Sequence, residues 1–315
     1  MTQQALDLTS ELLRGMRLSG VNYRRIETSR PFGVEFGFVP GKAQFHFISR
    51  GPVLLRMVSG QRLMLQSGDA LFIPNGDGHV LLSDDQASVV NVSRLPSEPV
   101  CDSVSCVKNA CDDAESGNAI IFSACMDFEL GGMQPLVKAM PEVMLVSSLL
   151  TSRPEIQPML AAMERESLTR QAGYAGILAR LADVVAALIV RGWVACGCGN
   201  ANGWVQVLRD PKLARAIYAM HQQPGVNWKV EELAREAGTS RSVFAERFLA
   251  ATGTTPARYL TELRMRLAVQ YISDEGQTLE KVAFRLGYSS LAAFSRAFKR
   301  ITGKAPGALR GETVL

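Results

Sequence analysis

Apolar residues change their period along this chain. Between about Tyr23 and Phe128 they come in short runs rich in Val, Phe and Ile, broken by Gly, Pro and Asp. VEFGFV (Val34–Val39), AQFHFI (Ala43–Ile48), VLLRMV (Val53–Val58), ALFIP (Ala70–Pro74) and AIIFSACMDFEL (Ala119–Leu130) are the clearest. Such runs, with turn residues at intervals of roughly 8–12 positions, predict the strands of an all-β barrel or sandwich. After Pro154 the period becomes helical. Met159–Gln171 and Tyr174–Val194 predict two amphipathic helices divided at Ala172-Gly173. Cys196–Gly203 reads as a Gly/Asn-rich linker, and Asp210-Pro211 opens a further helix with proline where helices tolerate it best.

The last hundred or so residues hold one helical unit twice. Val230–Pro256 reads VEELAREAGTSRSVFAERFLAATGTTP, and Leu279–Pro306 reads LEKVAFRLGYSSLAAFSRAFKRITGKAP. Leu233-Ala234 aligns with Val282-Ala283, Ala237-Gly238 with Leu286-Gly287, Phe244 and Phe248 with Phe294 and Phe298, Gly253 with Gly303, and Pro256 with Pro306. A short helix, a glycine turn and a second helix form a helix-turn-helix pattern. Thr239-Ser240 and Ser289-Ser290 can cap the second helices, and the paired phenylalanines at i,i+4 mark their inward stripe. The opposite faces are then Arg241, Ser242, Ala245 and Glu246 in the first copy, and Leu291, Ala292, Ser295 and Arg296 in the second.

Those faces suit the major groove. Arg296 can donate to guanine O6 and N7 or to a phosphate. Ser242 and Ser295 can donate to either, and Ala245, Leu291 and Ala292 can touch thymine methyls. Lys299 adds a phosphate contact to the second helix. Charge follows the same division: residues 209–315 carry 17 Lys+Arg and 10 Asp+Glu, net +7, while residues 1–208 carry the other 17 and 20, net −3. A basic C-terminal region points to double-stranded DNA as a partner. The plainer alternative is a pair of helical hairpins with solvated charge.

The stretch Pro256, Tyr259, Arg264 and Ala268, then Val282-Ala283, Gly287-Tyr288, Phe294-Ser295-Arg296, Phe298-Lys299, Gly303, Pro306 and Arg310 resembles the AraC/XylS-type DNA-binding domain. The resemblance covers about a third of the chain. It implies two helix-turn-helix subdomains joined by a long helix, about Pro256–Tyr271, with recognition helices in adjacent major grooves. Glu246 departs from the pattern, standing where many relatives carry a basic residue. It would repel phosphate but can accept from cytosine N4.

Within the β region, GDALFIPNGDGH (Gly68–His79) fits G-x5-P-x-G-x2-H and resembles the second cupin motif. The RclR-like branch of AraC-type regulators carries a cupin-like domain ahead of its DNA-binding domain. The motif's usual asparagine is Ser83 here, and the first motif is poorly matched: Gln44-Phe45-His46 keeps one histidine where metal-binding cupins have two, and no glutamate follows at the expected distance. His46 and His79 are candidate ligands for a divalent metal, but a firm site needs three or four donors. The alternative is a structural or ligand-lining pair.

Six cysteines give three open readings: small apolar residues, redox sensors, or zinc ligands. Cys101, Cys106 and Cys111 are spaced by five in what reads as a polar loop, with Cys125 in a nearby strand. The resemblance to the RclR-like branch implies a response to reactive chlorine species. Cys196-Gly-Cys198 is a weak zinc pattern.

With 47% hydrophobic and 20% charged residues the chain has the composition of an ordinary soluble protein. No secretory signal is expected, and the most apolar stretch, Tyr174–Ala195, is interrupted by Arg180, Asp183 and Arg191, too often to span a bilayer. A cytoplasmic location is therefore expected.

The expected architecture is an α+β multidomain chain: a cupin-like sensory β-barrel over 1–150, a helical hairpin over 151–195, a linker over 196–208 and an all-α DNA-binding domain over 209–312. The hairpin's apolar faces (Met159, Leu160, Met163 and Leu168, then Ile177, Leu178, Leu181, Val184, Val185 and Leu188) exceed what it can bury on itself, so it could cover the barrel, pair with a second protomer, or do both. A homodimer is the expectation, because it would place four helix-turn-helix units on DNA. The expected function is a transcription regulator, not an enzyme, responding to a small molecule or oxidant and engaging RNA polymerase if it activates. A cupin-type metalloenzyme with a helical appendage is the rival, and a regulator without a signal a third possibility.

Overall fold

A computed structural model describes residues 16–101, 104–109, 118–146, 149–150, 154–169, 171–196, 207, 210–273 and 276–310. The chain forms two compact units. The first comprises 17–129 and 140–196; the second holds 130–139 and the described residues from 207 onward.

The first unit is built on two sheets. The seven-stranded sheet runs β12 (Met144–Leu145), β6 (Ala70–Ile73), β3 (Lys42–Arg50), β11 (Ala119–Glu129), β1 (Arg17–Thr28), β10 (Val104–Asn109) and β9 (Ser97–Cys101). The five-stranded sheet runs β5 (Arg62–Leu65), β4 (Val53–Met57), β7 (His79–Leu82), β2 (Gly33–Phe36) and β8 (Val90–Asn91). Strand alternation sends Ile26, Ile48, Leu71, Ile73 and Ile121 from the larger sheet and Val34, Phe36, Val53, Leu55 and Leu81 from the smaller into one shared core. The architecture is the two-sheet cupin jelly roll.

The larger sheet is buried on its other face too, which is why Ala43–Ser49 of β3 shows no exposed position. That face carries Tyr23, Phe45, Phe47, Phe72 and Phe122, the Tyr23 and Phe122 rings stacking at 5.4 Å. The hairpin of α1 (Ile156–Thr169) and α2 (Tyr174–Cys196) belongs to the same unit, and the Tyr23 hydroxyl donates to the Ala179 carbonyl at 3.3 Å. Ile156, Leu160 and Met163 on α1 and Leu178, Val185 and Ile189 on α2 are buried. Ile177 and Val184 remain 46% and 43% exposed.

The second unit is helical: α3 (Pro211–Gln222), α4 (Val230–Glu236), α5 (Arg241–Thr252), α6 (Pro256–Ser273), α7 (Leu279–Arg285) and α8 (Leu291–Thr302). Asp210 caps α3 by accepting from the Lys212 and Leu213 amides, with Pro211 at the first turn. No helix of the described residues is long and apolar enough to cross a membrane.

Candidate functional site

The two repeats fold alike down to their caps. Ser240 accepts from the Val243 amide and Ser290 from the Ala293 amide. Gly253 and Gly303 close α5 and α8 in left-handed conformations. Thr252 and Thr302 donate their hydroxyls to the Phe248 and Phe298 carbonyls and accept from the amides of Thr254 and Lys304. Phe244–Phe248 and Phe294–Phe298 pack with centroids 5.5 and 5.6 Å apart, fully buried beneath each recognition helix. This burial fixes which face each helix turns outward.

Helix α6 ties the motifs together. Tyr259 is buried against Phe248 and its hydroxyl lies 2.7 Å from His221 Nε2. The buried Arg264 donates from Nε to the Pro224 carbonyl at 2.6 Å and from Nη2 to the Val226 carbonyl at 3.0 Å, with its guanidinium over the Tyr288 ring. One side chain thus spans the loop before the first motif and the turn of the second. Where these meet, Gly225 and Gly287 pass so closely that neither has room for a side chain.

Of the predicted groove-facing residues, Arg241, Ser242, Glu246, Ala292, Arg296 and Lys299 are exposed, while Ala245, Leu291 and Ser295 are half-buried. Leu291 packs against the apolar cluster around Phe294 and Met265, which leaves it less free to touch a base. The charge on the two helices is unequally available. Arg241 is paired with Glu231 at 3.0 Å and Arg247 with Asp210 at 2.8 Å. Arg296, Lys299 and Arg300 have no ion pair among the described residues. Val243, Leu249 and Phe284 are exposed apolar residues that periodicity did not single out; in a short helix a solvent-facing apolar residue carries the same signature as a core one.

The cupin motif places His79 on β7 of one sheet and His46 on β3 of the other, and they meet in the core between them. His79 Nδ1 lies 2.9 Å from the Asp77 carbonyl, which can only accept, so that nitrogen carries the proton. His79 Nε2 therefore accepts from His46 Nε2 at 2.8 Å, and His46 Nδ1 accepts from the Ser123 hydroxyl at 2.8 Å. All ring nitrogens are satisfied in the neutral state. Burial pushes the His46 pKa well below its usual range, His79 adding to the effect, and burial pushes His79 down to about 4. As a metal site the pair fits poorly. It offers two donors, and among the described residues no third His, Cys, Asp or Glu joins them.

Cys101 and Cys106, expected in a polar loop, lie instead in strands β9 and β10, where parallel pairing of β10 with β1 overrides a polar local sequence. Cys106 is buried and Cys125 half-buried, and burial raises the Cys125 thiol pKa. Cys111 and Cys198 lie outside the described residues, as do the side chains of Cys101 and Cys196.

The comparisons agree with this arrangement. The cupin family matches residues 7–195 and a helix-turn-helix domain family matches residues 233–312. The chain is similar to the HTH-type transcriptional regulator AlkR of Acinetobacter baylyi, 29% identical over 83% of this chain and 85% of that one. It is similar as well to the RCS-specific HTH-type transcriptional activator RclR of Escherichia coli, 26% identical over 85% and 84%. Among solved structures it is similar to the DNA-binding domain of AdpA in complex with a target DNA, at 29% identity, 31% coverage of this chain, 89% of that chain and a TM-score of 0.30. The chain belongs to the AraC family of transcriptional regulators that carry an N-terminal cupin domain, and it is a DNA-binding regulator, not an enzyme.

Proposed function

We propose that the two recognition helices divide the work on DNA. The second, α8, anchors on phosphate and reads a base through Arg296, while the first, α5, contributes selectivity more than affinity. The observation that carries this is the contrast in ion pairing: both arginines of α5 are engaged by acids, and the three cations of α8 have no acidic partner among the described residues. Glu246 adds repulsion toward phosphate on α5, and each free cation on α8 can release a counterion.

The cupin domain receives a small-molecule signal in this reading. An oxidant acting on Cys101, Cys106, Cys111 or Cys125 is the second reading. Burial of Cys106 and the raised Cys125 thiol favour the first, because a reactive sensor needs thiolate at neutral pH. The regulator acts as a homodimer. Ile177, Leu181, Val184 and Leu188 follow one another at spacings of four, three and four along α2, and all four are exposed or half-buried. That spacing suits the seam of a two-helix coiled coil with a second copy of the chain. As an activator it would also engage RNA polymerase.

Genome-wide mapping of bound sites in cells with and without oxidant tests these readings together. Occupancy that follows a metabolite rather than oxidant, at sites with two half-elements, is the expected result. Oxidant-gated occupancy that is lost in a Cys101→Ser/Cys111→Ser variant would move the assignment to the thiols.

A further inference from the structure

This inference rests on the reading that the cupin domain receives a small-molecule signal, and it supplies the site and the chemistry. A groove of about 480 Å³ lies where β2, β4 and β7 meet their loops, a volume suited to a small organic molecule. The buried Phe36, Met57 and His79 line its depth, and Phe38 and Val58, 62% and 83% exposed, stand on its rim.

One wall is cationic. Arg56 on β4 is the register partner of Arg62 on β5, and both line the groove. Directly opposed side chains sit about 5 Å apart at Cβ, where like charges destabilise the pairing. Arg62 is answered by Asp85 at 2.9 Å. Arg56 is half-buried, and its side chain has neither an ion pair nor a hydrogen bond among the described residues. Glu35 lines the groove as well, so its carboxylate confines an anionic head to the Arg56 and Arg62 side. Glu35 lies one strand beyond Arg56, across Val80, and its carboxylate accepts from Asn91 at 3.1 Å. Glu142 accepts from the Ser59 hydroxyl at 2.5 Å, and burial raises the Asp77 pKa, Glu142 adding to it.

We propose that this groove binds a small organic anion with an apolar body, its charged head on Arg56 and Arg62 and its body against Phe38, Val58 and Met57. The anion gives Arg56 the charge-assisted partner it lacks among the described residues and further offsets its opposition to Arg62, which Asp85 already answers in part. The apolar body covers two large side chains that otherwise face water. His79 lies buried beneath the same groove, so the occupant sits over the hydrogen-bonded histidine pair that joins the two sheets.

Two dyes separate the halves of this proposal: 1-anilinonaphthalene-8-sulfonate, an aromatic anion, and N-phenyl-1-naphthylamine, the same rings without the charge. The full chain should bind the sulfonate at a single class of site. Arg56→Ala should weaken it by about tenfold or more while changing the neutral dye by less than about twofold. Arg56→Lys should recover most of the loss, Phe38→Ser should weaken both dyes, and Arg50→Ala, an exposed cation elsewhere on the domain, should change neither. Equal loss of both dyes in Arg56→Ala, or no saturable sulfonate binding to the unaltered chain, overturns the proposal. Operator binding measured alongside keeps the two readings apart. If the sulfonate fills the groove and DNA affinity does not move, the site stands and the signal reading falls. If the sulfonate alters DNA affinity equally in Arg56→Ala, the site falls and the signal reading stands.

Discussion

A Cβ placed on Gly287 would lie 2.0 Å from the carbonyl oxygen of Gly225. The turn of the second helix-turn-helix and the loop ahead of the first therefore pass backbone to backbone, and Arg264 fastens the crossing from α6 by donating to the Pro224 and Val226 carbonyls. Two motifs that sequence presents as beads on a string are held by α6 and meet at a crossing with no room for a methyl group.

Gly287→Ala should therefore be far more damaging than its repeat counterpart. At Gly238 (φ +62°) the nearest obstacle is the flexible end of Arg215 at 3.3 Å, so Gly238→Ala should cost about 1–2 kcal/mol, the strain of a left-handed residue. Gly287→Ala carries that strain (φ +79°) plus a backbone collision, and should cost about 3 kcal/mol or more. Urea unfolding followed by helical circular dichroism compares the two, and equal losses would contradict the crossing.

The histidine pair predicts a pH dependence. Both imidazoles are held neutral in the folded chain and regain ordinary pKa values on unfolding, so the unfolded state binds more protons as pH falls. Stability should be fully present above about pH 6.5 and decline toward pH 4, where His79 itself protonates. The His79 contribution is on the order of 3 kcal/mol. Chelator-treated protein melted at pH 7, 6 and 5 shows the slope, and His46→Leu/His79→Leu should flatten it.

Metal removal should change nothing. With two donors and no third among the described residues, extensive chelation should leave melting temperature and DNA affinity unaltered. Elemental analysis of protein purified without chelator checks this, and stoichiometric iron, manganese or zinc that is lost in His46→Leu would restore the metalloprotein reading of the cupin domain.

The α2 seam predicts the assembly. Ile177→Asp/Val184→Asp places two charges on residues that are 46% and 43% exposed, so the fold should survive while the dimer should not. Sedimentation velocity should show the unaltered chain as a dimer and the variant as a monomer, and the variant's affinity for a full operator should fall by about a hundredfold through lost bivalency. A monomeric unaltered chain would contradict the homodimer, and a variant that stays dimeric would contradict the α2 seam.

Burial makes Cys125 a slow thiol. Its raised pKa leaves less thiolate at pH 8, so iodoacetamide should modify it more slowly than an unstructured cysteine peptide. Mass spectrometry of partly alkylated protein measures the ratio.

The parts legible in sequence were those written in local chemistry. Matched glycines, phenylalanines and prolines announced the repeat, and of the two residues offered at each turn, Thr239-Ser240 and Ser289-Ser290, the second of each pair caps α5 and α8. The strand-rich half was readable because β3 and β11 are long apolar runs. What escaped depends on pairing between distant segments. Arg56 and Arg62 become neighbours only through the register of β4 and β5, and Gly225 gains its meaning only from Gly287, 62 positions on. Cys101 and Cys106 looked like loop residues because their segment is polar, and they became strand residues by adding to the edge of a sheet through β1. The engagement of Arg241 and Arg247 by Glu231 and Asp210, which unbalances the two recognition helices, likewise depends on packing between helices.

The base-reading role assigned to α8 rests most directly on Arg296. Fluorescence anisotropy on an operator and on random DNA of equal length, at fixed salt, should show Arg296→Ala losing about 1–3 kcal/mol on the operator and much less on random DNA, with relaxed preference at one base position. Equal losses on both DNAs would reduce Arg296 to a phosphate contact and contradict its assignment as the base-reading residue of α8.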